Sequence, residues 1–279
     1  MDSAERALLE EALRRTLTTH TPGGEAEPAL AELGWPEMLA QEPGAAVPLV
    51  FRLLGETGTQ APVLNDVVLI TAGRPLGGTP ALPYTGGTWV RWVRGEGAPT
   101  GPLDPALPLR RTEPGGLPGP ALAAGRRALG WWLLGTGRAM LALARQHVLE
   151  REQFGRPLAS FQALRHRLAE THVALEAAEA VLVAAGFPQA HSAGRHGTAA
   201  PEDTAALLAK AAAGRAALTA ARHCQQALGG IGFTAEHALH RHVKRALVLD
   251  GLLGSTRELT REAGRLLLRE SRVPRLVDL

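Results

Sequence analysis

A chain of 279 residues, 45% of them hydrophobic, holds enough apolar surface for one large or two modest domains. No run approaches the roughly 18 apolar residues of a membrane span, and the opening MDSAERALLEEALRR mixes acids with bases, so a cytoplasmic globular protein without a membrane partner is expected. The net charge of +3 rests on arginines scattered among acids, with only Lys210 and Lys244 as lysines, and this leaves no basic cluster with interleaved aromatics for nucleic acid.

In chain order, residues 2–17 alternate charged and apolar positions at helical spacing, with Ala7, Leu8, Leu13 and Leu17 offered to one face. The breaker-rich HTPGGEAEP ends that helix, a second is predicted over 26–41, and a third begins after Pro48, whose fixed φ suits a first turn. From about 64 to 121 the pattern changes to short β-favouring segments, VVLIT, TWVRWV and LPLRRT. They are separated by PLGGTPALPYTGG, EGAPTGPLDP and EPGGLPGP, so a small sheet of three or four strands is predicted.

From 120 onward the chain reads as long helices. The stretch 121–150 places Leu122, Leu129, Trp132, Leu133, Met140, Leu143 and Val148 at mixed spacings of three and four. It also contains Gly125, Gly130, Gly135 and Gly137. Each glycine costs a helix about 0.8–1 kcal/mol against alanine, so close approach of a neighbouring helix or of a cofactor is implied. A second long helix over 159–185 has a core stripe of Phe161, Leu164, Leu168, Val173, Leu175, Val181 and Leu182. FPQAHSAGRHGTAAP is a connecting loop, and Pro201, Glu202 and Asp203 open a third helix with negative charge at its positive end. Further helices are predicted over 235–252 and 256–271, giving an antiparallel bundle.

The lone Cys224 excludes an internal disulfide and reads as a buried small residue. His237, His240 and His242 cluster on one predicted helix without a nearby acidic ligand, so they read as polar surface residues and no metal site is predicted. No phosphate-binding P-loop, nucleophile elbow or strand-turn-helix dinucleotide fingerprint occurs.

Two motifs are more specific. The chain reads ALARQHVLEREQFGRPLASFQALRHRLAETHVALEAAEA and, further on, CQQALGGIGFTAEHALHRHVKRAL. In this order and separation they resemble the two signature stretches of the acyl-CoA dehydrogenase family, closely over residues 115–275 and loosely over the first 65. The resemblance implies a mainly α fold: a small N-terminal helical domain (1–64), a shortened β-rich middle segment (65–119) and a C-terminal four-helix-type bundle (120–279).

It also implies FAD held across a dimer interface, in tetramers built as dimers of dimers. Arg151 then offers a permanent planar cation to the pyrophosphate, Gln153 and Gln226 hydrogen-bond the dinucleotide, and Phe154 gives the flavin an apolar surface. Gly229 and Gly230 let backbone N–H groups approach phosphate oxygens.

The chemistry the resemblance implies is α,β-dehydrogenation of an acyl-CoA thioester, with a glutamate taking the α-proton. Matching Thr256 to the family's threonine puts Gly254 at the commoner position of that base, and Gly125 falls at the other. Neither accepts a proton; Asp250 and Glu258, one helical turn to either side of Gly254, are the carboxylates nearest it. The TEPGAGSD-type stretch of the middle domain is missing, TEPGG at 112–116 lying at the entry to the bundle.

Both departures resemble the shorter subunit of heteromeric dehydrogenases acting on steroid side-chain CoA thioesters. The partner expected is a longer subunit bearing the glutamate. A self-sufficient homo-oligomer with a displaced carboxylate and a scaffold without flavin are the alternatives.

Overall fold

The computed structural model describes residues 3–20, 26–95, 103–186 and 201–270. Five helices come first: α1 (Ser3–Thr19), α2 (Glu27–Glu32), α3 (Trp35–Gln41), α4 (Pro43–Thr57) and α5 (Val63–Thr71). The single helix expected over 26–41 is broken at Gly34, whose φ of 83° takes the left-handed region just before the Trp35–Pro36 pair that opens α3. The helix expected after Pro48 starts at Pro43 instead, and Pro48 lies inside it. In α1, Leu13 and Leu17 are buried as expected, whereas Leu8 is 73% exposed because the buried face runs through the half-buried Leu9.

VVLIT is not a strand: it is the C-terminal half of α5, a helix in which Val63 to Leu69 are all buried. A segment buried on every side carries no period that separates a buried strand from a buried helix, which is why its β-branched composition misleads. The sheet is formed by β1 (Ala81–Tyr84), β2 (Thr88–Trp92) and β3 (Leu109–Arg111), antiparallel in the order β1-β2-β3. The strands β2 and β3 match TWVRWV and LPLRRT, while β1 lies in the expected separator PLGGTPALPYTGG. Gly86 and Gly87, both at positive φ, make the turn between β1 and β2.

The bundle follows as α6 (Gly119–Glu150), a two-stranded hairpin of β4 (Glu152–Gln153) and β5 (Arg156–Pro157), α7 (Gln162–Ala185), α8 (Pro201–Leu228), α9 (Leu239–Gly251) and α10 (Thr256–Glu270). The connecting loop expected in FPQAHSAGRHGTAAP lies outside the described residues except for Pro201, the first residue of α8. The central member is α6, buried almost all round from Ala121 to Gly137. Its four glycines answer to neighbouring protein. A Cβ on Gly125 would stand 2.6 Å from Leu253 Cδ1, on Gly130 2.5 Å from Leu182 Cδ2, on Gly135 2.1 Å from the Arg52 carbonyl oxygen, and on Gly137 2.5 Å from Leu175 Cδ2.

These contacts also fix the directions. Gly130 and Gly137 meet Ala213 and Ala217 in rising order, so α6 and α8 run parallel, while Leu182 and Leu175 meet them in falling order, so α7 runs antiparallel to both. The contacts of Lys210 and Gly214 with Asp250, Gly254 and Thr256 seat the break between α9 and α10, at 252–255, against α8. On α7, Leu175 and Leu182 are buried, but Val173 of the expected stripe is 65% exposed.

One apolar cluster runs from Leu13 to Leu253 and joins helices to sheet. At its centre Trp92 of β2 stacks on Trp132 of α6 at 5.4 Å between ring centroids, and Phe51 of α4 meets the same indole edge-on at 5.6 Å. Asn65 Nδ2 donates to the Trp92 carbonyl oxygen at 2.8 Å, so α5 is tied to the sheet as well.

Candidate functional site

Because α6 and α8 run parallel, the two sequence motifs that follow their last turns emerge at the same end of the bundle. The rings of His147, in the last turn of α6, and His237, within the second motif, meet edge-on with centroids 6.3 Å apart. Burial is the largest influence on His147 and lowers its pKa; the His237 and Arg151 charges push the same way.

Arg151 caps α6 with an extended backbone, its amide donating to the His147 carbonyl oxygen at 2.9 Å. The chain then reverses through Phe154 and Gly155, both at positive φ (56° and 75°), the geometry of a two-residue hairpin. Phenylalanine is a poor residue for that conformation, and this one is 90% exposed with its edge against Phe161, 6.2 Å between centroids. Arg156 lays its guanidinium over the same Phe161 ring at 4.2 Å. Arg151, Gln153, Phe154, Gln226 and Gly230 are exposed and Gly229 half-buried.

The glycines of the second motif form a 3-10 turn over Gly229–Phe233, with Gly229 at φ 63°. Open space surrounds the place where a Cβ would stand on Gly229 and on Gly230, so their backbone is accessible to a ligand. Cations, amide donors and an exposed aromatic ring therefore share one end of the bundle on an open surface. That donor set suits a bulky, anionic, flat molecule.

A second region is the α9–α10 break. The β1–β2 hairpin docks there: Tyr84 bridges to Leu252, the Leu253 amide donates to the Pro83 carbonyl oxygen at 2.8 Å, and a Cβ on Gly251 would stand 2.6 Å from the Tyr84 ring. Gly254 has φ 99°, and a Cβ on it would lie 2.8 Å from Leu259 Cδ2. Gly125, the other position at which the resemblance places a base, faces Leu253, which is 1% exposed, and Val68.

The neighbouring carboxylates are engaged. Asp250 Oδ1 accepts from the Thr256 amide at 3.1 Å and from Thr256 Oγ1 at 2.5 Å, and Gly214 leaves room for the pair. Glu258 accepts from the Gly86 amide at 3.0 Å and from the amide and hydroxyl of Ser255, both at 2.8 Å. Those donors, Gly86 foremost, hold its carboxyl down at about 2.

Sequence reasoning missed Lys210. It is wholly buried under the break, where Nζ donates to the carbonyl oxygens of Asp250 at 2.9 Å and Gly254 at 2.6 Å. Burial lowers its pKa to about 7. The available signal was a lone lysine in the alanine-rich AALLAKAAAGRAAL, as Tyr84 was signalled by being the only tyrosine.

His242 departs from the surface reading: it is 7% exposed, with the backbone of Gly58 packed on its ring, and burial takes its pKa down to about 4. Cys224 is buried as expected, its thiol pushed up to about 12. No group of three metal-ligating side chains occurs among the described residues.

The family description "Acyl-CoA dehydrogenase, C-terminal domain" matches residues 119–265, more than half of the chain. Among curated relatives, acyl-CoA dehydrogenase IpdE2 of Mycobacterium tuberculosis is 38% identical over 183 residues, 63% of this chain and 54% of that protein. Acyl-CoA dehydrogenase FadE34 of the same organism is 32% identical over 218 residues, 71% of this chain and 29% of that protein. The chain thus spans about half or less of these relatives' length.

Solved structures share the fold. The "Tcur3481-Tcur3483 steroid ACAD G363A variant" superposes with a TM-score of 0.70 at 20% identity, over 96% of this chain and 99% of the other. A chain of the ChsE4-ChsE5 complex from Mycobacterium tuberculosis gives 0.68 at 17% identity, over 98% and 99%.

Proposed function

The chain belongs to the acyl-CoA dehydrogenase family, and from that premise we propose that it is the subunit of a FAD-dependent acyl-CoA dehydrogenase that completes a flavin site with a catalytic partner and supplies no base of its own. The carrying observation is the α9–α10 break. At the base position stands Gly254 at φ 99°, crowded by Leu259, while Leu253 fills the space beside Gly125, and Asp250 and Glu258 are held by capping bonds. A proton acceptor needs an accessible carboxylate at hydrogen-bond reach of substrate. Here the chain's own β1–β2 hairpin occupies the approach.

Members of the family depend on FAD, and the open surface at the other end of the bundle fits that group. Arg151 would hold its pyrophosphate, Gln153 and Gln226 would hydrogen-bond the dinucleotide, Phe154 would cover its apolar bulk, and the Gly229 and Gly230 backbone would approach phosphate oxygens. When bound, FAD supplies the acceptor for the β-hydrogen of the acyl thioester. A longer partner subunit bearing the glutamate would take the α-proton, in a dimer of dimers.

The names of the structures it resembles, a paired "steroid ACAD" and a two-component complex, support a heteromer acting on a bulky or steroid-derived CoA ester. On this reading residues 1–64 and 65–119 brace the break, and 120–279 carry the flavin surface.

The test is the visible absorbance of the purified chain, alone and co-expressed with a longer dehydrogenase encoded beside it. Flavin bands only in the co-expressed complex, one flavin per pair of subunits, are expected. Flavin bound by the chain alone and bleached by an acyl-CoA overturns the proposal in favour of a self-sufficient homo-oligomer.

A further inference from the structure

We propose that the cleft between the end of α5 and the outer face of the three-stranded sheet binds a phosphate group. The cleft has a volume of about 340 Å³ and is lined by the polar Arg74, Thr79 and Arg91 and by the backbone of Gly115 and Gly116. Arg74 is presented by a helix-ending turn. Gly73, at φ 66°, reverses the chain after α5, and the Arg74 amide donates to the Leu69 carbonyl oxygen at 2.9 Å.

Arg91 is held by the sheet. Its Nε donates to Thr112 Oγ1 at 3.1 Å and its Nη1 to the Thr79 carbonyl oxygen at 3.3 Å. Two such bonds fix the guanidinium plane and leave Nη2 without a partner among the described residues.

The register adds a third cation. Arg91 of β2 lies directly opposite Arg110 of β3, so both side chains stand on one face of the sheet. Like charges facing each other across a strand pair destabilise it. Among the described residues no carboxylate forms an ion pair with Arg74, Arg91 or Arg110, in contrast to Arg94 and Arg245, which pair with Asp66 and Asp104.

The concentration of positive charge in a polar cleft is relieved by an anion, and planar guanidinium forks suit phosphate oxygens. The floor is shaped to admit one. A Cβ on Gly115 would stand 2.7 Å from the Ala81 Cβ, so this strap lies hard against β1, while at Gly116 open space faces the backbone.

This place is distinct from the flavin surface. The sheet docks at the α9–α10 break beside Gly125, and Arg151 follows the far end of α6, roughly 40 Å of helix away. The inference therefore stands apart from the proposed flavin role.

Isothermal titration of the full chain with inorganic phosphate, at ionic strength matched with chloride, tests it. Saturable binding is expected, weakened by about tenfold or more in Arg74→Gln, since a charge-assisted hydrogen bond is lost. Arg74 makes no side-chain bond among the described residues, so this variant should melt like the parent chain. Arg110→Gln is the second variant, and Arg151→Gln should bind phosphate as the parent does. No saturable heat, equal affinity in Arg74→Gln and Arg110→Gln and the parent, or loss only in Arg151→Gln, overturns the assignment.

Discussion

Gly135 of α6 and Arg52 of α4 approach so closely that a Cβ on Gly135 would lie 2.1 Å from the Arg52 carbonyl oxygen, and the reciprocal Gly55 would meet the Trp132 carbonyl oxygen at 2.3 Å. The two helices cross backbone to backbone. In an open helix Gly→Ala gains about 0.8–1 kcal/mol. Here the added methyl meets carbonyl groups rather than flexible side-chain ends, so Gly135→Ala should destabilise by about 1–3 kcal/mol, the range for overpacked cores. Chemical denaturation decides the sign, and a more stable variant would refute the crossing.

Asp104 and Arg245 are both almost fully buried, with Nε donating to Asp104 Oδ2 at 2.6 Å and Nη1 to the Thr59 carbonyl oxygen at 3.0 Å. The pair fastens the segment before β3 to α9. Removing one partner strands the other charge, so Asp104→Ala should cost about 3–5 kcal/mol. Equilibrium unfolding of the variant checks it; a loss indistinguishable from zero would mean the pair is solvated.

Lys210 predicts a pH dependence. Its folded pKa is about 7, below the usual lysine value of 10.5, so between those values the unfolded chain binds more protons than the folded one. Stability from this residue therefore rises as pH climbs from 7 to 10.5, is lost as pH falls back from 10.5 to 7, and is flat below that. Lys210→Met should remove that slope, at most about 1.4 kcal/mol per pH unit, which denaturant midpoints at pH 7, 8.5 and 10 would reveal as a changing gap between the two proteins.

Glu258 carries a carboxyl held at about 2 by its donors, so its contribution is present above the unfolded value of 4.5 and lost as pH falls from there to 2. As a brace between α10 and the β1–β2 turn, Glu258→Gln should lower the melting temperature and leave turnover of the assembled dehydrogenase intact. Abolished turnover with unchanged melting would make it a proton acceptor instead. Asp250→Asn separates the same roles for the other carboxylate.

Arg151→Ala and Gln226→Ala, both on exposed surface, should leave the fold unchanged and reduce the flavin content of the co-expressed complex. Arg151→Ala should have the larger effect, because charge-assisted bonds to phosphate are about twice as strong as neutral ones. Flavin content equal to the parent in both variants would favour the scaffold reading.

The bundle was legible because its helices are long and their apolar spacings sustained. The predicted stretches over 121–150 and 159–185 match α6 and α7 to within a few residues at each end. The middle of the chain was harder. In α5 burial on every side removes the amphipathic contrast that identifies a helix, and β1 is a four-residue strand, ALPY, embedded among breakers. The histidines show the same limit, since nothing local distinguishes the buried His242 from the half-buried His237 and His240.

The sequence by itself determined the helical bundle, its two motifs and the glycines at 125 and 254, because these reside in residue identity and local periodicity. Only the tertiary structure decided what those glycines and carboxylates do. The parallel course of α6 and α8 brings Arg151 and Gln226 to one end, and the docked hairpin engages Glu258. Lys210 supports the carbonyls of the break across 40 and 44 residues of chain. Contacts at such separations depend on how helices pack, and no window of sequence contains both partners.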